Sequence, residues 1–376
     1  MKPIYRILAP AAAALMAGIL STSIPAQPSA NVHVLVPSGL QGPRGLTFGP
    51  GGYLYVAEAG TGGSNSTKGL CAQVVPPVGP YTGGKTGRIS RVDMSGNVTT
   101  VATGFASTAD AMGDTSGVAD VKFMNGTLYA LIGGGGCSHG VPSLPNGIVA
   151  VNVHNGRWAY VANLSAFIQT HPVKYPNAAD FEPDGTFYSM APLFGQLYAV
   201  EPNHGQVVRV GPNGFTASVL DVSANEGHIV PTGITYHDGN FYLGNLNTFP
   251  ISPTSARILT LSFIDTSFLA APGLRDPDGP GSLHILSSKA GFTTVVSTAF
   301  GPDGRLYALE LSAAPGFPSP GAGKVVRVNF NGTIQDVATG LVVPTGMTFG
   351  PDGRLYVSNF GAAPAGTGQI VWIDVD

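Results

Sequence analysis

The sequence predicts an all-β fold, a six-bladed β-propeller closed by an N-terminal strand that completes the last blade. Three observations carry this. An apolar-Tyr-apolar or closely similar triplet recurs six times after Gly-containing turns: Leu54-Tyr55-Val56, Leu128-Tyr129-Ala130, Leu197-Tyr198-Ala199, Phe241-Tyr242-Leu243, Leu306-Tyr307-Ala308 and Leu355-Tyr356-Val357. Each copy is followed by a third alternating strand, at 87–93, 147–153, 206–210, 256–262, 324–329 and 369–374. Repeats of short antiparallel strands are the pattern of propeller blades. Finally, the two ends of the chain match. Pro43-Arg44-Gly45-Leu46-Thr47-Phe48-Gly49-Pro50 parallels Pro344-Thr345-Gly346-Met347-Thr348-Phe349-Gly350-Pro351, and the C-terminal copy stops one strand short. Val32-His33-Val34-Leu35-Val36 supplies it, reading like Ile334-Gln335-Asp336-Val337-Ala338. A ring closed in this way leaves few free strand edges.

Taken in order, Lys2 and Arg6 precede an apolar run from Ile7 to Leu20 and small residues up to Ala26. Residues 1–26 therefore read as a secretory signal peptide. The run is short for a membrane span and contains Pro10. A secreted or periplasmic protein without a membrane span after cleavage is expected, with residues 31–376 forming the propeller. In blade 3, Glu182-Pro183-Asp184-Gly185 resembles the usual first hairpin turn, yet taking it so leaves a surplus strand. We read 186–193 as the first strand, 197–201 as the second and 177–185 as the loop entering the blade. Residues 263–281 form a Pro/Gly-rich insertion in blade 4. The repeated tyrosines are expected to pack between blades. Arg91, Arg209 and Arg327 recur in the third strands and are expected to link blades.

Composition agrees. Gly 53 and Pro 31 punctuate a chain that is 43% hydrophobic and only 10% charged, with net charge −3 and no basic cluster. A nucleic-acid partner is excluded on that ground. Cys71 and Cys137 fall in equivalent loops of adjacent repeats, which predicts one disulfide.

In this topology the loops entering each blade share a face with the loops joining second to third strands. The second strands end there in Glu58, Glu201, Asn245, Glu310 and Asn359, and the loops add His204, Glu226 and His228. Glu201, His204, Glu226 and His228 belong to consecutive blades and are expected to converge. Together these eight residues are the candidate ligand site on the channel face, for a small molecule or a protein partner. Glu and Asn oxygens suit Ca²⁺, and His with Glu suits a transition metal or acid/base work. A metal-dependent lactonase or hydrolase is one alternative. A cell-surface interaction module, touching through the apolar loop 311–320, is another. No Gly-x-Ser-x-Gly elbow, P-loop, Cys-x-x-Cys or His-Glu-x-x-His occurs, and no helix follows the glycine run 133–136.

Gly323-Lys324-Val325-Val326-Arg327-Val328 and the two Gly-Pro-Asp-Gly-Arg-Leu-Tyr strings at 301–307 and 350–356 resemble NHL propeller repeats. Three further stretches resemble the ScyD/ScyE family of exported propellers: 180–190, 197–205, and 227–232 with 244–250. The resemblance implies an exported NHL-like propeller, a role in handling an indolic–phenolic pigment for the namesakes, and no settled catalytic residues. Six-bladed Ca²⁺-dependent lactonases and quinone-dependent sugar dehydrogenases resemble the chain more distantly.

Overall fold

The structure, a computed structural model, describes residues 27–263 and 281–375. The expected signal peptide, and nearly all of the insertion in blade 4, lie outside the described residues. Six antiparallel sheets make the six blades of a propeller. Blade 1 runs Pro43–Phe48, Leu54–Glu58, Thr82–Val92 and Val98–Ala109, with a short fifth strand, Thr115–Ser116. Blade 2 is Val118–Met124, Thr127–Ile132, Gly147–Val151 and Trp158–Asn163. Blade 3 is Ser189–Leu193, Gln196–Glu201, Gln206–Val210 and Thr216–Asp221. Blade 4 is Pro231–His237, Asn240–Asn245, Ala256–Phe263 and Leu283–Phe292. Blade 5 is Val295–Phe300, Leu306–Glu310, Gly323–Val328 and Ile334–Leu341.

Blade 6 holds Gly346–Phe349, Leu355–Asn359 and Gly368–Ile373, and its outer strand is Val32–Leu40 from the N-terminus. The register pairs Val32 with Ile373 and Val34 with Val371. A bulge between Val34 and Val36 breaks the alternation, so Val36 enters the core at 2% exposure while Val34 faces out at 57%. The residues before this strand reach the neighbouring blade, where Ser29 N–H donates to the Thr339 carbonyl at 3.1 Å. The closure thus joins blades 5 and 6.

The repeated tyrosines pack between blades. Tyr55 meets Phe123, Tyr242 meets Phe300, Tyr307 meets Phe349 and Tyr356 meets Phe48, each edge-on at 4.8–5.0 Å between ring centroids. In each pair the tyrosine is on a second strand and the phenylalanine lies on the first strand of the next blade. Edge-to-face geometry suits the ring quadrupoles. Among the described residues, Arg91 lies over Tyr53 and Arg209 over Phe215 within their own blades, Arg209 also abuts Gly281 of blade 4, and Arg327 reaches the Val375 carbonyl beyond blade 6. Their planar guanidinium groups find ring faces in the same blade, which competes with inter-blade pairing. Among the described residues, helix is confined to Leu164–Thr170, Val222–Glu226 and a three-residue turn at Pro50–Gly52. No described helix is long and apolar enough to cross a membrane.

Candidate functional site: a cleft on the entry-loop face

The second strands do end at the level of the entry loops, as the register Pro43 to Glu58 shows. The five polar residues there are buried, however, each at 4% exposure or less. Glu58 accepts the Gln41 N–H at 2.6 Å, Glu201 that of Thr186 at 2.9 Å, Glu310 that of Thr293 at 3.0 Å, and Asn359 that of Val342 at 2.8 Å. Asn245 donates to the Ile229 carbonyl at 2.9 Å. In every case the partner is the loop entering the same blade. These side chains fasten entry loops to second strands. Glu58 is further held by Arg88 at 2.7 Å.

A Ca²⁺ ion would need six or more oxygens pointing at one spot. The five strand-end groups instead turn to separate loops. Among the described residues no group of three or more His, Cys, Asp or Glu side chains is placed to hold a metal ion. These residues therefore do not form a calcium cage.

Blade 2 has Ile132 at the equivalent position, and the loops around it carry a polar network instead. His139 is fully buried. Its Nδ1 donates to the Gly135 carbonyl at 2.6 Å and its Nε2 to Glu182 Oε2 at 2.8 Å. Both ring nitrogens face acceptors, an arrangement that favours the protonated ring. Burial works against that charge, but the bond and charge of Glu182, with the Gly135 carbonyl and Asp184, outweigh it and raise the His139 pKa. Burial likewise opposes ionisation of Glu182, yet His139, Thr186 and Tyr81 hold its carboxyl below the ordinary range. The Tyr81 hydroxyl donates to Glu182 Oε1 at 2.9 Å, and Thr186 donates to Oε2. Burial, then the Glu182 charge, pushes the Tyr81 phenol well up.

The hub is the loop entering blade 3. Asp180 pairs with His228 of blade 4 at 2.8 Å. Phe181 stacks on His204 of blade 3 at 4.6 Å. Glu182 takes His139 of blade 2 and Tyr81 of blade 1. Asp184 Oδ2 accepts the N–H and the hydroxyl of Ser138, both at 2.7 Å. Gly136 has φ +103°, and a Cβ there would collide with the Asp184 carboxyl group. Gly136 thus serves close packing on this hub. Cys71 and Cys137 are bonded to each other beside it, as expected.

Of the four residues expected to converge, Glu201 and His204 meet, the His204 N–H donating to Glu201 Oε2 at 2.6 Å. His228 is tied to the same loop through Asp180. Glu226 goes to Arg257 at 2.8 Å, away from the hub. His139, Glu182 and Tyr81 were not singled out as a set by the sequence. The one signal available was their position on entry-face loops.

A cleft of about 450 Å³ opens against this hub. Its walls come from loops of blades 1, 2 and 3: the disulfide and Ala72 on one side, Pro172, Val173 and Pro176 on another, and Phe181, Pro183 and His204 behind. The central channel is narrower, about 120 Å³, lined by first strands of all six blades and carrying the Asp120–Lys122 pair at 2.6 Å. Its mouth is crossed by Tyr188. Burial raises the Asp120 pKa, with Lys122 opposing.

No family model matches the chain, and no curated protein matches it. Solved structures do. A protein of unknown function from Bacteroides thetaiotaomicron is 12% identical, with 92% of this chain and 76% of that chain covered and a TM-score of 0.55. A gluconolactonase from Xanthomonas campestris is 11% identical over 91% of this chain and 88% of its own, TM-score 0.51. An aldose sugar dehydrogenase from Streptomyces coelicolor is 14% identical over 94% of this chain and 99% of its own, TM-score 0.51. Similarity at these identities establishes the six-bladed propeller, and the fold alone hosts unrelated chemistries.

Proposed function

We propose that this is an exported NHL-like propeller of the ScyD/ScyE type that binds a small, largely apolar molecule in the cleft between blades 1 and 3. The cleft carries the reading. It combines apolar walls with a rigid backing, and such concave sites on loop faces are where small ligands bind. The disulfide fixes one wall and the buried His139–Glu182 pair fixes another. Support for the family reading comes from where its motifs fall. Residues 180–190, 197–205 and 227–232 are segments that meet at the hub, whereas 244–250 does not line the cleft. In this reading His204 lines the site, Glu201 and His228 support it, and Glu58, Asn245, Glu310 and Asn359 keep the entry loops in place.

The test uses N-phenyl-1-naphthylamine, an uncharged fluorophore that brightens in apolar sites. Wild-type protein should enhance its emission with a saturable profile. Ala72→Trp, which fills the cleft from an exposed position, should abolish the enhancement without lowering Tm. No enhancement, or enhancement unchanged in the variant, would refute the reading.

A further inference from the structure

The cleft has a polar end, and its polarity is one-sided. His204 is 3% exposed and lines the cleft. Its Nε2 bonds the Glu182 carbonyl at 2.8 Å, which fixes Nε2 as the protonated nitrogen. The other nitrogen, Nδ1, has no hydrogen bond among the described residues. In the neutral ring it is an acceptor with a free lone pair. Phe181 stacked on the ring at 16° holds its plane. Asp184, 5% exposed, and Gln169 are the other polar lining residues. Ser138 takes both bonds to Oδ2, so Oδ1 is left with Gln169 Nε2 at 3.4 Å, a long and weak contact. His204 and Asp184 therefore bring two acceptors to a pocket whose other lining is Gln169, aliphatic side chains, prolines, a disulfide and an aromatic ring. Among the described residues no lysine or arginine lines it.

Resting on the cleft reading above, we infer that the ligand is an apolar body bearing a hydrogen-bond donor, a primary amine or a hydroxyl, and not a carboxylate or phosphate. A donor end would satisfy His204 Nδ1 and Asp184 Oδ1 together. An anion would meet a carboxylate and a lone pair with no cation to offset them, and buried mismatches of that kind are costly. A buried site built from acceptors rejects ligands lacking the matching donor. His204 and Asp184 are thus specificity-determining residues of the site.

The experiment compares four ligands that share one phenylpropyl body: 3-phenylpropylamine, 3-phenyl-1-propanol, its methyl ether and 3-phenylpropionate. Affinities come from ligand-observed NMR titration of the whole protein. The amine should bind at least tenfold tighter than the carboxylate, and the alcohol several-fold tighter than the ether. His204→Phe, which keeps the stack on Phe181, should erase the alcohol–ether difference while the ether's affinity is retained. Asp184→Asn should shrink the amine–carboxylate ratio. Equal binding of all four would overturn the donor inference and leave the cleft reading standing. Binding of none would overturn both.

Discussion

The phenol of Tyr188, at the start of blade 3, donates a 2.9 Å hydrogen bond to the carbonyl oxygen of Thr345, at the start of blade 6. The two blades are opposite each other in the ring. The side chain therefore spans the channel, and its mouth is barred. This is one reason the proposed site is placed off the axis, in the loops of blades 1 to 3. Burial pushes the Tyr188 phenol well above the ordinary tyrosine range. Tyr188→Phe should cost about 1 kcal/mol, the worth of one internal hydrogen bond. In alkaline difference spectra the variant should lose no tyrosinate absorbance near pH ~10, where ordinary tyrosines titrate.

The His139–Glu182 pair sets a pH window. The raised His139 pKa contributes stability below about 6.5, the unfolded histidine value, and this is lost as pH rises through the folded value. The lowered Glu182 pKa contributes stability above its unfolded value of 4.5, lost as pH falls through the folded one. Tm should therefore be highest between roughly pH 4.5 and 6.5 and decline on both sides. Glu182→Gln should flatten both limbs and destabilise by about 3–5 kcal/mol, because it strands a buried imidazolium. Calorimetry across pH checks both statements.

Cys71 and Cys137 are 66 residues apart, and loop-closure entropy assigns their bond roughly 4 kcal/mol. Reduction should lower the unfolding free energy read from urea titration by that amount. Because both residues line the cleft, it should also weaken fluorophore binding at temperatures where the protein stays folded.

Ring closure is testable at Val36, which is 2% exposed on the N-terminal strand. Val36→Asp buries a charge against blade 1 and should cost several kcal/mol. Trp372, stacked on His33 at 4.0 Å, should report the release of that strand as a change in emission. Gel filtration should show oligomers forming through the bared edge.

The strand-end fasteners predict a mutational result. Asn359→Ala leaves the Val342 N–H without its acceptor and should cost about 1–2 kcal/mol. Equilibrium urea unfolding measures it, and added Ca²⁺ should change neither wild type nor variant.

The blades were legible because their signals are local and periodic. Tyr-containing second strands and their turns recur within a few residues of each other, and the closing strand could be found by matching Val32 to Val36 with Ile334 to Ala338. Blade 3 was read correctly around Glu182-Pro183-Asp184-Gly185, although its first strand starts at Ser189 and not at Thr186. The Thr186 N–H is taken by Glu201, which keeps the chain in the loop for two more residues. The hub was not legible. His139 and Glu182 are separated by 43 positions and Tyr81 and Glu182 by 101, in loops without period. Strand-end carboxylates were easy to find and look chemical, yet burial turns them toward the nearest backbone N–H.

Ile132 gives the ring its asymmetry. Five units secure their own thresholds with a carboxylate or amide; the second cannot, so its long 133–146 segment is gripped by neighbours instead. A repeat that gave up self-sufficiency became the place where four units depend on one another, and a sixfold ornament acquired a single distinguishable side.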